Sequence, residues 1–181
     1  MSAALTSLEI PHALGGSMAS SLLGVPRYTQ DADLTAEPFP GRERALAACF
    51  GDEHYLSVPA MTEANRLRRS FNIINITSGF KVDVFIRKDR PFELSAMKRR
   101  AWIETADAGE PISVHSPEDC ILFKLEWHRL GGEVSERQLT DCVGVLRVQA
   151  GRLDEDYLER WAAELGVSDL LERVRAQAGS S

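Results

Sequence analysis

The chain has 181 residues, of which 44% are hydrophobic and 27% are charged, so one domain with a single good core is expected. Its formal net charge of −6 argues against nucleic-acid binding by simple counter-ion attraction. The three cysteines favour neither a disulfide framework nor a zinc site, and no apolar run reaches the roughly 20 residues that cross a bilayer. The cysteines are expected to be core residues of a reduced cytoplasmic protein. Glu9 and Pro11 interrupt the apolar amino terminus, so we expect no secretory signal, and we expect no membrane partner.

The amino-terminal half is predicted to alternate helices with strands. Ser17 is a good helix cap, and Gly24 with Pro26 ends the helix that it starts. Polar and apolar residues alternate with period two from Asp31 to Thr35, which indicates a strand. The predicted elements of this half, in chain order, are a short helix over 2–9, a strand over 12–14, a helix over 17–23, a strand over 31–35, and helices over 41–50 and 61–70.

The clearest local pattern is that of a β-hairpin. Two β-rich runs over 71–77 and 80–87 flank Ser78-Gly79, a dipeptide suited to a tight two-residue turn. The aliphatic residues of the second run point to one face, so Asp83 is expected on the opposite face. Two further strands are predicted over 99–105 and 111–114, with a turn at 107–109.

From Ser116 onward the pattern is helical. Ser116 is a capping residue, Pro117 suits the first helical position, and acidic residues follow in the first turn. A mixed sheet followed by a helical tail is typical of an α+β fold. We expect a core over 1–115 and a C-terminal helical segment over 116–181, packed as a single compact unit. The predicted helices of this segment span 117–130, 135–149, 154–165 and 168–177.

Two features are candidate phosphate sites. Gly15, Gly16 and Ser17 end a strand and open a helix, where backbone N–H groups and the helix dipole favour a bound phosphate. The same turn is also an ordinary strand-to-helix connection, so alone it leaves both interpretations open. Lys124 interrupts an apolar helical stretch, where its charged head must either reach solvent or bind an anion.

Three aspartates form the candidate metal site. Asp31 and Asp33 share one strand face, where their mutual repulsion is relieved by a cation. Mg²⁺ suits this role because it prefers hard oxygen ligands and fills its other positions with water and substrate phosphates. Asp83 is the third carboxylate, and it can accept a proton from an attacking hydroxyl group or orient that group.

Positive charge is concentrated between residues 66 and 100, which contain ten Lys or Arg against three acidic residues. Such a patch is either a solvated face or a track for phosphate groups. The patch is compatible with an RNA partner but does not indicate one.

The order of the chemical motifs is distinctive: Leu14-Gly15-Gly16-Ser17 is followed by Asp31-Ala32-Asp33 and, later, by Lys81-Val82-Asp83-Val84. This order resembles the nucleotidyltransferase superfamily related to DNA polymerase beta. Arg27 and Thr29, just before the acidic pair, are similar to the AbiEii-type minimal nucleotidyltransferase branch. The tail residues that share this resemblance are Pro117, Glu118, Asp119, Lys124, Arg129, Arg137 and Asp141, whereas Gln138 stands where the branch often has aspartate.

The resemblance implies a nucleotidyltransferase fold, with a mixed β-sheet core flanked by helices and a C-terminal helical segment. It implies that Asp31, Asp33 and Asp83 are the catalytic residues and hold two Mg²⁺ ions, with Asp83 as the base. A nucleoside triphosphate such as ATP is the implied substrate. The residues implied in nucleotide binding are Gly15, Gly16, Ser17, Arg27, Thr29 and Lys124.

Three functional hypotheses follow. The first is transfer of a nucleoside monophosphate to a hydroxyl acceptor on RNA, protein or a small molecule. The alternative is a nucleotide-binding, antitoxin-like module with little or no catalysis, which contacts a partner protein from a two-gene toxin–antitoxin pair. The third is a metal-dependent phosphohydrolase, which the glycine-serine turn disfavours because that turn implies a phosphate tail to be held.

Overall fold

A computed structural model describes residues 1–104 and 111–180, and the turn predicted at 107–109 lies outside these residues. The chain divides into two compact units, Met1–Gly15 with Thr29–Val114 and Gly16–Tyr28 with His115–Ser181. The segment Gly16–Tyr28 therefore groups with the C-terminal helices, which the sequence does not anticipate. The single compact packing expected from the sequence stays a prediction.

The first unit contains one mixed sheet, as predicted. Over the described ranges its strands are β1 (His12–Leu14), β2 (Asp31–Ala36), β3 (His54–Tyr55), β4 (Ser70–Asn75), β5 (Lys81–Ile86), β6 (Ala101–Ile103) and β7 (Ile112–Val114). Their order in the sheet is β3-β4-β5-β2-β1-β7-β6. The β2–β5 and β1–β7 pairs are parallel, and the remaining neighbours are antiparallel.

Nine helices are found in the part of the chain that the structure describes. They are α1 (Ser2–Ser7), α2 (Gly16–Leu23), α3 (Glu43–Ala48), α4 (Val58–Leu67), α5 (Pro91–Arg99), α6 (Pro117–Leu130), α7 (Glu136–Val148), α8 (Glu155–Leu165) and α9 (Ser168–Gly179). Over the described residues, no helix has both the length and the apolar character that a membrane crossing requires.

Strand β2 shows how alternation positions the acidic residues. Its apolar side chains are buried, whereas Asp31 and Asp33 are only partly exposed on alternate positions. Because successive side chains of a strand point to opposite faces, both aspartates lie on the face away from the buried residues. The predicted strand and its polar face therefore agree with the structure.

The hairpin between β4 and β5 forms as predicted, but its connection differs. Asn75 N donates to Phe80 O at 2.9 Å and Gly79 N donates to Asn75 O at 2.8 Å, so residues 76–79 make a four-residue loop. The Asn75 side chain closes this loop, because its Oδ1 accepts from Ser78 N at 2.9 Å. The prediction of a two-residue turn is wrong, since it overlooked the capping ability of the Asn75 amide.

Two helices of the first unit differ from the predictions. Helix α4 begins at Val58, three residues before the predicted start, because Ser57 caps it and accepts from Ala60 N at 3.3 Å. Helix α5 was not predicted, although Pro91 stands in its first turn and basic residues stand in its last turn. The strand predicted from residue 99 consequently begins at Ala101.

The helices of the second unit begin and end close to the predicted positions. Ser116 caps α6, and its Oγ accepts from Asp119 N at 3.2 Å. Gly24, which follows α2, lies close to the backbone of α7. A Cβ atom at this position would lie 2.7 Å from the Val145 backbone nitrogen, so a larger residue would not fit without a shift. Cys120 and Cys142 are buried as expected, whereas Cys49 is exposed.

Helix α2 starts differently from the prediction. It begins at Gly16, whose positive φ of 56° is a conformation that suits glycine. Ser17 therefore lies inside the first turn, and the prediction that Ser17 caps this helix is wrong. The correction matters because the Ser17 hydroxyl is available for contacts with other side chains.

Candidate functional site

Four charged residues occupy one face of the sheet in the first unit, and we call them the strand quartet: Asp31, Asp33, Lys81 and Asp83. Parallel pairing of β2 with β5 sets Asp31 opposite Lys81 and Asp33 opposite Asp83. Residues in register on adjacent strands are about 4.8 Å apart and point to the same face. The structure thus brings together the three aspartates that the sequence proposes as metal ligands.

The carboxylates of the quartet accept hydrogen bonds from inside the quartet and from residues beside it. Lys81 Nζ donates to Asp83 Oδ2 at 2.7 Å. Asn72 lies opposite Asp83 on β4, and with its amide oriented to donate it is 2.6 Å from Asp83 Oδ1. Thr29 Oγ1 donates to Asp31 Oδ1 at 2.7 Å. The predicted nucleotide contact Thr29 therefore supports an aspartate in this structure.

The charge of Lys81 is stabilised by its surroundings. The hydrogen bond to Asp83 raises the pKa of Lys81, and the negative charges of Asp31 and Asp33 act in the same direction. Lys81 is therefore protonated at neutral pH and places one positive charge among three carboxylates.

The quartet meets the chemical requirements of a magnesium site only in part. Three carboxylates on one face supply the hard oxygen donors that Mg²⁺ prefers, and their register is suitable. Within residues 1–104 and 111–180, however, no three His, Cys, Asp or Glu side chains are arranged to hold a metal ion. Asp83 is instead turned toward Lys81 and Asn72, and Asp31 toward Thr29. The donor set fits the ion, whereas the present side-chain orientations serve protein partners.

A second group of polar and charged side chains lies in the second unit. We call it the cation cluster, and its members are Ser17, Arg27, Lys124 and Asp141. Arg27 Nε is 2.8 Å from Asp141 Oδ1, and Lys124 Nζ is 2.8 Å from Asp141 Oδ2. Arg27 also donates to Ser17 Oγ. Two cationic side chains, Lys124 from α6 and Arg27 from the segment that follows α2, thus share one carboxylate.

Lys124 and Asp141 are the buried members of the cation cluster, whereas Arg27 is partly exposed. Lys124 is 4% exposed and Asp141 is 9% exposed. Burial favours the neutral acid, but hydrogen bonds from Arg27 and Lys124 outweigh it and hold the pKa of Asp141 below its usual range. The sequence left open whether Lys124 reaches solvent or binds an anion, and the structure gives it an internal anion.

The other tail residues that share the resemblance lie outside this cluster. Arg129 pairs with Glu133 at 3.2 Å and with Asp169 at 2.5 Å, which are surface contacts. Arg137 is exposed. Gln138, the departure from the branch pattern, accepts from Lys124 Nζ at 3.3 Å and so contributes to the cluster.

The glycine turn is divided between two tasks. Gly15 N donates to Asp33 O at 2.8 Å, so this N–H group extends the sheet beyond β1. The first N–H groups of an α-helix have no partner within the helix, and Gly16 and Ser17 stand at the start of α2. The predicted phosphate contact is therefore better suited to Gly16 and Ser17 than to Gly15.

Several of the ten basic residues between positions 66 and 100 have acidic partners nearby. Arg87 Nε lies 2.8 Å from Glu37, Arg68 lies 3.3 Å from Asp89, and Arg90 lies 2.6 Å from Glu93. Asp89 and Glu93 are already counted among the three acidic residues of the stretch, so these pairs engage individual arginines but leave most of its net positive charge.

Sequence reasoning missed the roles of Lys81 and Asn72. Lys81 stands two residues before Asp83, so the period of a strand would place both on one face. Its pairing with Asp31, and that of Asn72 with Asp83, depend on strand register. Register between distant strands leaves no signal in a local pattern.

No protein-family model matches the chain, and no curated protein matches it. Solved structures do match. A solution structure of the antibiotic-resistance factor ANT(2'')-Ia is 22% identical, and the match covers 97% of this chain and 92% of that one with a TM-score of 0.53. This chain has the nucleotidyltransferase fold. The predicted α+β class, with its mixed sheet and flanking helices, is confirmed.

Two further structures share the nucleotidyltransferase fold. A crystal structure of ANT(2'')-Ia in complex with adenylyl-2''-tobramycin is 20% identical, covers 91% of each chain and has a TM-score of 0.52. An antigenic nucleotidyltransferase-like protein from Paracoccidioides brasiliensis is 18% identical, and the match covers 97% of this chain and 88% of that one with a TM-score of 0.56. The similarity to these structures concerns the fold.

Proposed function

We propose that this chain is a Mg²⁺-dependent nucleotidyltransferase, which transfers a nucleoside monophosphate from a triphosphate to a hydroxyl acceptor. One observation carries the proposal: Asp33 and Asp83 are in register on adjacent parallel strands, with Asp31 on the same face. Three carboxylates on one face of a nucleotidyltransferase fold suit the binding of divalent cations.

The aspartates have separate roles in the proposed reaction. Asp31, Asp33 and Asp83 hold Mg²⁺, two ions in the full proposal, which when bound supply positive charge that stabilises the reacting phosphate. Asp83 accepts the proton of the acceptor hydroxyl. The hydroxyl oxygen forms a bond to the α-phosphorus, while the bond from that phosphorus to pyrophosphate breaks.

The cation cluster is proposed to bind the triphosphate, with ATP as the first candidate. Arg27 and Lys124 are held by Asp141, which limits their freedom before a ligand arrives. The buried position of Lys124 favours a strong interaction with an anion, because local dielectric constants are low in protein interiors. Gly16 and Ser17 add backbone N–H groups at the start of α2, where a phosphate can be bound.

The acceptor proposed first is a hydroxyl group of a small molecule. One structural neighbour is a complex with adenylyl-2''-tobramycin, an adenylylated small molecule. The internal pairing of Arg68, Arg87 and Arg90 gives less support to an RNA acceptor. RNA and protein are therefore included as competing acceptors in the test.

We further propose the AbiEii-type branch as the affiliation of this chain. The Arg27-x-Thr29 pattern is supported by contacts of both residues, Arg27 with Asp141 and Thr29 with Asp31. A cytoplasmic location and a partner protein from a two-gene module belong to this proposal. If the chain acts as the antitoxin-like half, it binds nucleotide without transferring it.

The test is a transfer assay with each α-labelled nucleoside triphosphate, Mg²⁺ and three acceptors: tobramycin, total RNA and total protein. Label on an acceptor supports the proposal. Nucleotide binding that requires Mg²⁺, without transfer, supports the partner module. Release of unlabelled inorganic phosphate, with the label kept on a nucleoside mono- or diphosphate, supports a phosphohydrolase. Absence of Mg²⁺-dependent nucleotide binding contradicts all three.

The metal assignment is tested with matched carboxylate variants. Asp31→Asn and Asp33→Asn are expected to abolish the increase in nucleotide affinity that Mg²⁺ causes, measured by isothermal titration calorimetry. Asp52→Asn is the control, because Asp52 is an exposed aspartate of the same unit that lies outside the quartet. Unchanged affinity in both quartet variants would defeat the assignment.

A further inference from the structure

The strand quartet contains its own cation. Lys81 lies opposite Asp31 in register, and its Nζ contacts Asp83, the partner of Asp33. The ammonium group thus occupies the same face as the three carboxylates. Without a metal ion, its charge offsets their mutual repulsion.

The two members of the ion pair differ in exposure. The Asp83 side chain is 17% exposed, whereas the Lys81 side chain is 39% exposed. A lysine head on a flexible four-carbon stem can move into solvent, while a short carboxylate side chain on a strand stays in place. Lys81 is therefore the member that can leave when another cation arrives.

The Lys81 ammonium group and a divalent ion cannot both bind the Asp83 carboxylate without strong repulsion. A magnesium ligand oxygen lies about 2.0–2.1 Å from the ion. Asp83 Oδ2 already accepts from Lys81 Nζ at 2.7 Å, so an ion bound to this oxygen would stand within a few Å of the ammonium group. Like charges at that distance repel strongly, even in a solvated setting.

We propose that Lys81 is a tethered counter-ion, which holds the three aspartates together in the metal-free state and competes with Mg²⁺ for them. The affinity of the site for divalent ions is then set partly by the cost of releasing Lys81. This inference rests on the proposed function, since it takes the aspartates as metal ligands. It differs from that function in assigning a role to the nucleotide-free, metal-free protein.

The test measures Mn²⁺ binding to the nucleotide-free chain by electron paramagnetic resonance and calorimetry. Lys81→Met removes the competing charge and is expected to lower the Kd for Mn²⁺ about tenfold. Lys81→Gln makes the same charge change with a polar side chain and is expected to act in the same direction. Lys81→Arg keeps the charge and is expected to stay near the wild-type Kd.

Lys88→Met is the matched control, because Lys88 is an exposed lysine that follows β5 and lies outside the quartet. Its Kd for Mn²⁺ is expected to equal that of the wild type. If Lys81→Met and Lys81→Gln bind Mn²⁺ no more tightly than Lys88→Met, the inference is wrong.

Thermal unfolding gives a second readout without any substrate. In EDTA, Lys81→Met is expected to have a lower Tm than Lys88→Met, because three carboxylates have lost their counter-ion. Added Mn²⁺ is expected to raise the Tm of Lys81→Met more than that of the wild type. Equal Mn²⁺-induced shifts would contradict competition.

The outcomes separate this inference from the proposed function. Tighter Mn²⁺ binding in Lys81→Met without nucleotide transfer in the wild type supports the counter-ion and contradicts the transferase. Transfer in the wild type with equal Mn²⁺ affinity in both proteins supports the transferase and contradicts the counter-ion. No Mn²⁺ binding in either protein contradicts both.

Discussion

The strand quartet and the cation cluster combine the same kinds of charge in opposite proportions. The quartet sets three carboxylates beside one ammonium group on a partly exposed sheet face. The cluster sets two cationic side chains, the buried Lys124 and the partly exposed Arg27, on one buried carboxylate. Partial exposure lets the partner of an acidic site be exchanged, whereas burial fixes the partners of a basic site. Under the function proposed above, metal binding is therefore adjustable, whereas triphosphate binding is rigid.

The largest expected effect comes from removing the anion of the cation cluster. Asp141→Asn leaves Lys124 buried without a charged partner, and loss of one member of a buried pair costs about 3–5 kcal/mol. The free energy of unfolding, measured by urea denaturation, is expected to fall by this amount. Asp169→Asn, which removes one of the two exposed acidic partners of Arg129, is expected to cost less than about 1 kcal/mol. Equal losses in both variants would remove the contrast between buried and exposed pairs.

The second effect concerns the quartet and should appear in activity rather than stability. Asp83→Asn removes the proposed base and one metal ligand, so transfer is expected to fall at least about a hundredfold. The free energy of unfolding should change by less than about 1 kcal/mol, because the Lys81 pair is partly exposed and one like charge is lost. Transfer rates and urea denaturation on the same preparation check both statements. A large loss of stability would show that the quartet is a structural pair instead.

The smallest effect is in the pH dependence of stability. The pKa of Asp141 is lowered in the folded chain, so its contribution is fully present above the ordinary aspartate pKa of about 3.9. That contribution is lost as the pH falls further, through the folded pKa. The difference in free energy of unfolding between the wild type and Asp141→Asn should therefore shrink below about pH 4. A constant difference down to low pH would mean that Asp141 acts through shape rather than charge.

Local patterns in the sequence predict the parts of the fold that depend on neighbouring residues. Period-two alternation locates β2 and β5, and the capping signal at Ser116 locates α6. The Asp31 and Asp33 pair follows from the same alternation, because residues two apart on a strand share a face. The fold class follows from the order of these elements.

Features that depend on distant contacts were not predictable in this way. The pairing of Asp33 with Asp83 requires parallel register between β2 and β5. Strand β4, the antiparallel hairpin partner of β5, lies between them in the sequence. The burial of Lys124 on Asp141 joins two helices, and neither helix alone indicates it. The strand predicted over 99–105 overlaps the last residue of α5, Arg99, and no local pattern predicts the helix before it.

The grouping of Gly16–Tyr28 with the C-terminal helices affects how the chain folds during its synthesis. Helix α2 contacts α6 and α7, which are encoded about a hundred residues later. During translation, α2 emerges early and must wait for those partners, with its apolar side uncovered. A fragment that stops near residue 115 would lack them permanently. We therefore expect such a fragment to be a poor source of the isolated sheet, despite containing every described strand.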